Sequence, residues 1–252
     1  YLNHFFPFLA FQRKEYFRMQ ENACVCNTRF PQTRESVGSK MNLEIVNLIK
    51  SPSINSESNL KVIEYINFVS SKTDSLLLCF EVLNNTKNYN DEFSKFIAIK
   101  ILEKHVQIFP DHCLPCGHNI IEVILKVCKK ELDMPKFVMN ALVALVSHLF
   151  LRLFPMIWAD FFNTLSVLIN LSPKGVEYYL RIMYEIDQEI QMYYVQKNEN
   201  YSNMDLIKNK MKESFIPEFM HALIQISNHY VVEGNKDLVN LSLSVFSSYI
   251  AW

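Results

Sequence analysis

"PKFVMNALVALVSHLFLRLF" (135–154), followed at once by "PMIWADFFNTLSVLINL" (155–171), decides the fold class. A membrane span needs about 20 predominantly apolar residues in a row. The most apolar part, residues 141–158, is interrupted by His148, Arg152 and the helix-breaking Pro155. These divide the run well short of a clean span. The segment predicts two core helices meeting at Pro155, and no membrane insertion is expected.

Similar pairs flank it. "SESNLKVIEYINFVSS" (56–71) sets Leu60, Ile63, Ile66 and Phe68 on one side, with Ser56 or Ser58 available as N-cap. "TDSLLLCFEVLNN" (73–85) follows after a short turn. "NDEFSKFIAIKILEKHVQIF" (90–109) and "GHNIIEVILKVCKKEL" (117–132) make the next pair. "SPKGVEYYLRIMYEIDQEIQMYY" (172–194) opens with Ser172 as N-cap and Pro173 at the first helical position, a strong start signal. Its partner follows the polar loop "QKNENYSN" (196–203) and runs over 204–230 with a bend at Pro217. "NKDLVNLSLSVFSSYIAW" (235–252) is a last, unpaired helix.

Helix pairs recurring every 40–60 residues indicate an all-α fold, a right-handed α-solenoid of HEAT-type antiparallel helix pairs. About four and a half pairs are expected over 41–252, with the solenoid continuing past Trp252. Residues 1–40 have poor periodicity and receive no structural role. An amphipathic helix begins at "MNLEIVNLIKSP" (41–52), and Met41 is a candidate natural start.

Composition removes several function classes. Only four glycines occur among 252 residues, at 38, 117, 175 and 234. No two are close enough to build a dinucleotide-binding G-x-G-x-x-G or a Walker A loop. The formal net charge is -1, which gives no general attraction to nucleic acid. Residues 41–252 carry 19 basic and 23 acidic side chains, so any RNA contact must be a local basic patch on an acidic body.

"FPDHCLPCGHN" (109–119) packs His112, Cys113, Cys116 and His118 together. A structural zinc site commonly takes ligands from two separated knuckles, and no second C-x-x-C exists. Cys24 and Cys26 lie in the leader. A redox C-x-x-C belongs in a βαβ setting that is absent. The stretch is therefore expected to be an inter-helix turn without metal, with Pro115 and Gly117 as helix-start punctuation. Replacing both cysteines by serine is expected to leave stability nearly unchanged. Cys79 and Cys128 lie in apolar runs as small hydrophobes. His148 and His221 read as satisfied core histidines. No catalytic constellation and no cofactor are expected; a binding module fits better than an enzyme.

Polar positions recur on the second helices of successive pairs. They are Glu81 and Asn84; Asn119, Glu122, Lys126 and Lys129; and Asp160, Asn163 and Thr164. Aligned by stacking, they would make a protein-binding wall, although solvated helix faces look the same. Lys208 and Lys212 share a face at i, i+4 with Lys210 beside them, a candidate contact for RNA phosphate.

Several stretches carry a resemblance. "FVMNALVALVSHLFLRLFPMIWADFF" (137–162) is similar to the early repeats of importin-β-like transport receptors. "LSPKGVEYYLRIMYEIDQEI" (171–190), "LIKNKMKESFIPEFMHALIQI" (206–226) and "SSYIAW" (247–252) resemble the tRNA-exportin (exportin-T) family. The similarity is strong over 136–252, looser over 41–135 and absent over 1–40. The resemblance implies a monomeric receptor that binds tRNA and RanGTP cooperatively in the nucleus. It would pass the pore through nuclear pore proteins and release its cargo in the cytoplasm. It further implies that the N-terminal repeats grip Ran with their second helices, which gives the three polar strips a partner. A HEAT scaffold for proteins alone, or another importin-β relative, is the alternative reading; a small zinc or thiol protein is a third.

Overall fold

A computed structural model describes residues 56–84, 92–196 and 204–252. Residues 1–40, the amphipathic stretch 41–52, Cys24, Cys26, the loop residues 197–203 and the side chains of Ser56 and Ser58 lie outside the described residues. Ten α-helices and no strand occur among those described. They are α1 (Ser56–Ser70), α2 (Ser75–Asn84), α3 (Glu92–Ile108), α4 (Cys113–Cys128), α5 (Lys136–Leu153), α6 (Phe161–Ser166), α7 (Pro173–Gln196), α8 (Met204–Ser214), α9 (Ile216–Val232) and α10 (Lys236–Ile250). Short 3-10 turns, Pro110–His112 and Val167–Asn170, precede α4 and follow α6. The fold class is the all-α, HEAT-type one expected from the helix periodicity.

The chain divides into two compact units. The described part of the first comprises 56–84, 92–123 and 132–145; that of the second, 124–131, 146–196 and 204–252.

In the first unit α1 and α2 both pack on α3. Ile97, Ile99, Ile101, Leu102 and Val106 of α3 meet a core shared with Cys79, Phe80 and Leu83 of α2. The C-terminal carbonyls of α1 need donors once buried. Ser75 Oγ supplies one to Val69 O. His105, fully buried in the last turn of α3, supplies the other. Its Nδ1–H donates to Ser70 O at 2.9 Å, and its Nε2 lies 2.8 Å from His112 Nδ1. With Nδ1 committed as donor, Nε2 accepts the proton of His112. Phe109 lies against both rings. Lys95, also buried, donates from Nζ to Asp133 O at 3.1 Å and ties down the turn before α5.

Two expectations need correction here. Leu60, Ile63 and Phe68 are more than half exposed, not core. Helix α1 is gripped at its end, through Val69 and Ser70, and not along that stripe. The cysteines of 109–119 are not in a turn. Helix α4 begins at Cys113, so the turn shrinks to Phe109–His112, and Cys113, Cys116 and Gly117 are buried. Pro115 sits in the first helical turn, where its missing N–H costs no hydrogen bond.

The second unit is organised by aromatic rings. Phe150 and Phe154 contact Phe162, which stacks on Phe215 with centroids 3.7 Å apart. The file continues through Phe219 and Tyr249 to Trp252. Helix α10 packs on both α7 and α9. Tyr249 OH donates to Met183 O at 2.8 Å, and Trp252 Nε1 donates to the buried Asp187 carboxylate at 2.5 Å.

Helix α7 starts where expected: the N–H of Gly175 donates to Ser172 Oγ at 3.2 Å, with Pro173 in the first turn. A side chain at Gly175 would collide with the carbonyl oxygen of Leu168. The two helices expected to meet at Pro155 do not meet there. Helix α5 ends at Leu153, turns occupy 154–160 with a cis Phe154–Pro155 bond, and α6 is short. The bend placed at Pro217 is a break at Phe215, with Pro217 in the first turn of α9. Helix α5 is the one described helix long and apolar enough to cross a membrane, yet 61% of its 18-residue window is buried inside the protein. That burial fits the core role read from the sequence.

Three predictions follow from this packing. Burial, joined by the charge of His112, lowers the His105 pKa from 6.5 against a smaller opposing effect of the Ser70 hydrogen bond. The unfolded chain then binds more protons than the folded one, so stability present above pH 6.5 is lost as pH falls through the folded pKa. Chemical denaturation should show a lower midpoint at about pH 5.5 than at about pH 7.5, with a smaller loss in His105→Gln. Cys116→Ser, contrary to the sequence expectation, should cost about 1–3 kcal/mol, because it places a hydroxyl in a sealed apolar site. Finally, Lys130 and Gly234 both close their helices at positive φ, 62° and 73°. Lys130→Gly should stabilise by about 0.5–1 kcal/mol and Gly234→Ala should destabilise by a similar amount, both read from thermal melts.

Candidate functional site

Within 109–119 His112 pairs with His105, which the sequence reading passed over, and the Cys113 thiol donates to Val106 O at 3.5 Å. The signal of His105 was weak: a lone histidine in an apolar helix. Among the described residues no group of three or more His, Cys, Asp or Glu side chains converges to hold a metal ion. The thiols of Cys79, Cys113, Cys116 and Cys128 are free and buried. Burial pushes Cys79 up to about 12 and Cys116 further, with Cys113 and Cys79 adding to the latter. Such thiols are poor nucleophiles at neutral pH.

The two other histidines singled out are not core residues. His148 is half-buried, with Nε2 3.3 Å from Glu189 Oε1. That hydrogen bond holds the Glu189 carboxyl below its usual range, while burial raises that of the neighbouring Glu185. His221 is exposed and pairs with Gln225 at 2.9 Å.

The polar strips fall into both units. Glu81, Asn84, Asn119 and Glu122 belong to the first unit. Glu81 and Asn119 are exposed, Glu122 is half-buried, and Asn84 turns its amide back to Phe80 O at 2.7 Å. Lys126, Lys129, Asp160, Asn163 and Thr164 belong to the second. Lys129, Asp160 and Asn163 are exposed and Lys126 is half-buried. Thr164 is buried, its hydroxyl 3.5 Å from Asp160 Oδ2.

The three candidate lysines of α8 behave differently from one another. Lys210 and Lys212 are exposed. Lys208 holds its ammonium over the Tyr194 and Trp252 rings, 5.0 Å from each centroid. Tyr194 in turn donates its hydroxyl to Asp205 Oδ1 at 2.6 Å. Burial and that hydrogen bond push the Tyr194 phenol up to about 12. Lys208 thus fastens α8 to the ends of α7 and α10. Its cation–π contacts, each worth about 0.5–2 kcal/mol, compete with any phosphate.

Comparison with known proteins adds a second line of observation. Residues 135–252 match the family model described as exportin 1-like protein. Exportin-T of Mus musculus is 27% identical over 173 residues, exportin-T of Homo sapiens 26% over 172, and exportin-T of Danio rerio 25% over 171. These alignments cover 66%, 66% and 65% of the chain and 18% of each relative. The chain thus spans less than a fifth of the length of the curated relatives it matches. The motifs that carry the resemblance meet in space: "YEIDQEI" supplies Asp187, "SSYIAW" supplies Tyr249 and Trp252, and α8 supplies Lys208. The chain is thus an all-helical protein of paired helices that is similar to the exportin 1-like family over residues 135–252 and to exportin-T over about two thirds of its length.

Proposed function

We propose that the chain acts in nuclear export as part of a receptor that binds RanGTP and tRNA together. The complex forms in the nucleus, crosses the pore through contacts with nuclear pore proteins, and releases tRNA in the cytoplasm. It is a shuttling binding protein and not an enzyme. The similarity to exportin-T over two thirds of the chain carries this reading. Exposed or half-buried polar groups on the second helices support the Ran part, namely Glu81, Asn119 and Glu122 in the first unit and Asp160 and Asn163 in the second. They stand away from buried Ile120, Ile121, Ile124 and Phe161, so charge changes there need not disturb the core. Binding through such polar groups gives specificity and association rate more than raw affinity.

The direct test is a pull-down of the chain with Ran locked in its GTP form and with GDP-loaded Ran. Retention of the GTP form alone is expected. Glu81→Lys with Asn119→Lys, both at exposed positions, should weaken it without lowering the melting temperature. Equal capture of both forms would instead favour a general HEAT scaffold.

A further inference from the structure

An RNA backbone is held chiefly by ammonium and guanidinium groups, so an acidic body needs them gathered at one place. The second unit gathers three where α4 ends and α7 begins. Lys129 and Lys130 follow the last residue of α4, and Lys174 lies in the first turn of α7; all three are exposed. Their backbone is fixed. Glu131 N–H donates to Lys126 O at 2.9 Å and Lys130 N–H to Val127 O at 3.1 Å, which locks Lys130 at φ 62°.

The two helix ends are also tied to each other. Ser172 Oγ donates to Cys128 O at 3.2 Å while accepting the N–H of Gly175. The Lys174 charge reaches the Cys128 thiol: burial pushes that thiol up to about 12, and Lys174 partly opposes the rise. Lys174 therefore lies close to the residue that immediately precedes Lys129 and Lys130.

Two carboxylates accompany the corner: Glu177, whose charge also reaches the Cys128 thiol, is engaged by Arg181 at 2.9 Å, and Glu131 directly follows Lys130. None of the three ammonium groups has an ion-pair partner among the described residues. The lysines of α8 offer less. Lys208 is held between two rings, and Asp205 and Glu213 share the helix with Lys210 and Lys212.

We propose that Lys129, Lys130 and Lys174 form a contact surface for the phosphate backbone of RNA. The proposal rests on the tRNA reading above and gives it a location, and it moves Lys129 out of the protein-binding strip. Two of the lysines are presented by a locked turn and the third by the capped start of a helix. Little backbone ordering is then needed when phosphates arrive.

The test is fluorescence anisotropy of a labelled tRNA transcript titrated with the full 252-residue chain from about 50 to 200 mM salt. Lys129→Gln/Lys130→Gln/Lys174→Gln is compared with wild type and with Lys210→Gln/Lys212→Gln. The triple variant should bind about tenfold or more weakly at low salt, and its log–log salt slope should be shallower by about 2. Its circular-dichroism melt should match wild type, and the double variant should change far less. A triple variant with wild-type affinity and slope overturns the corner and leaves the tRNA reading standing. A wild-type chain that captures RanGTP yet binds no tRNA at low salt overturns both.

Discussion

A carboxylate shut away from water must be answered by donors, and Asp187 meets this requirement with the indole of Trp252 at 2.5 Å. Gln188 and Gln191 add amides at 3.3 and 3.5 Å. The constraint reaches across the whole second unit. It fixes the end of α10 against the middle of α7, brings Tyr249 to Met183 O and sets the Trp252 face under Lys208. With α10 pinned, Tyr249 lies edge-on to Phe219 and closes the aromatic file that starts at Phe150. An ion or polar group buried this way is a weak source of net stability, but removing one partner is costly, so it acts mainly to select one arrangement.

What was legible in the sequence was local chemistry. Ser172 and Pro173 start α7 because capping and a fixed proline φ need only neighbouring residues. Pro155 ends α5 for the same kind of reason. The misreadings are tertiary. The Leu60, Ile63 and Phe68 stripe has sound helical spacing, but periodicity names a face and not what covers it. Cys113 and Cys116 sit beside Pro115 and Gly117, residues that usually punctuate loops. A first helical turn accepts the proline, and a closely packed one accepts the glycine. His105 carried only the weak signal of a lone histidine in an apolar helix, because Ser70 and His112 approach it only in the fold.

The candidate site was legible as residue types more than as places. Lysine spacing on α8 was correct, yet nothing in that spacing reveals that two aromatic rings from other helices claim Lys208. The basic corner was half visible, through Lys129, and hidden where it depends on the joining of two helix ends by Ser172. Thr164 shows the opposite failure, a polar residue at the right spacing that the short α6 turns inward.

The corner between α5 and α6 leaves Met156 79% exposed and Ile157 60% exposed, beside a fully buried Trp158. Methionine sulfur oxidises according to its access to oxidant. Met139, Met183, Met204 and Met211 are almost wholly enclosed, whereas Met192 is half exposed. The chain thus carries its own graded set of thioether reporters. Brief peroxide labelling read by mass spectrometry would score occupancy of the Met156 knuckle against sealed internal standards, with no dye or tag attached.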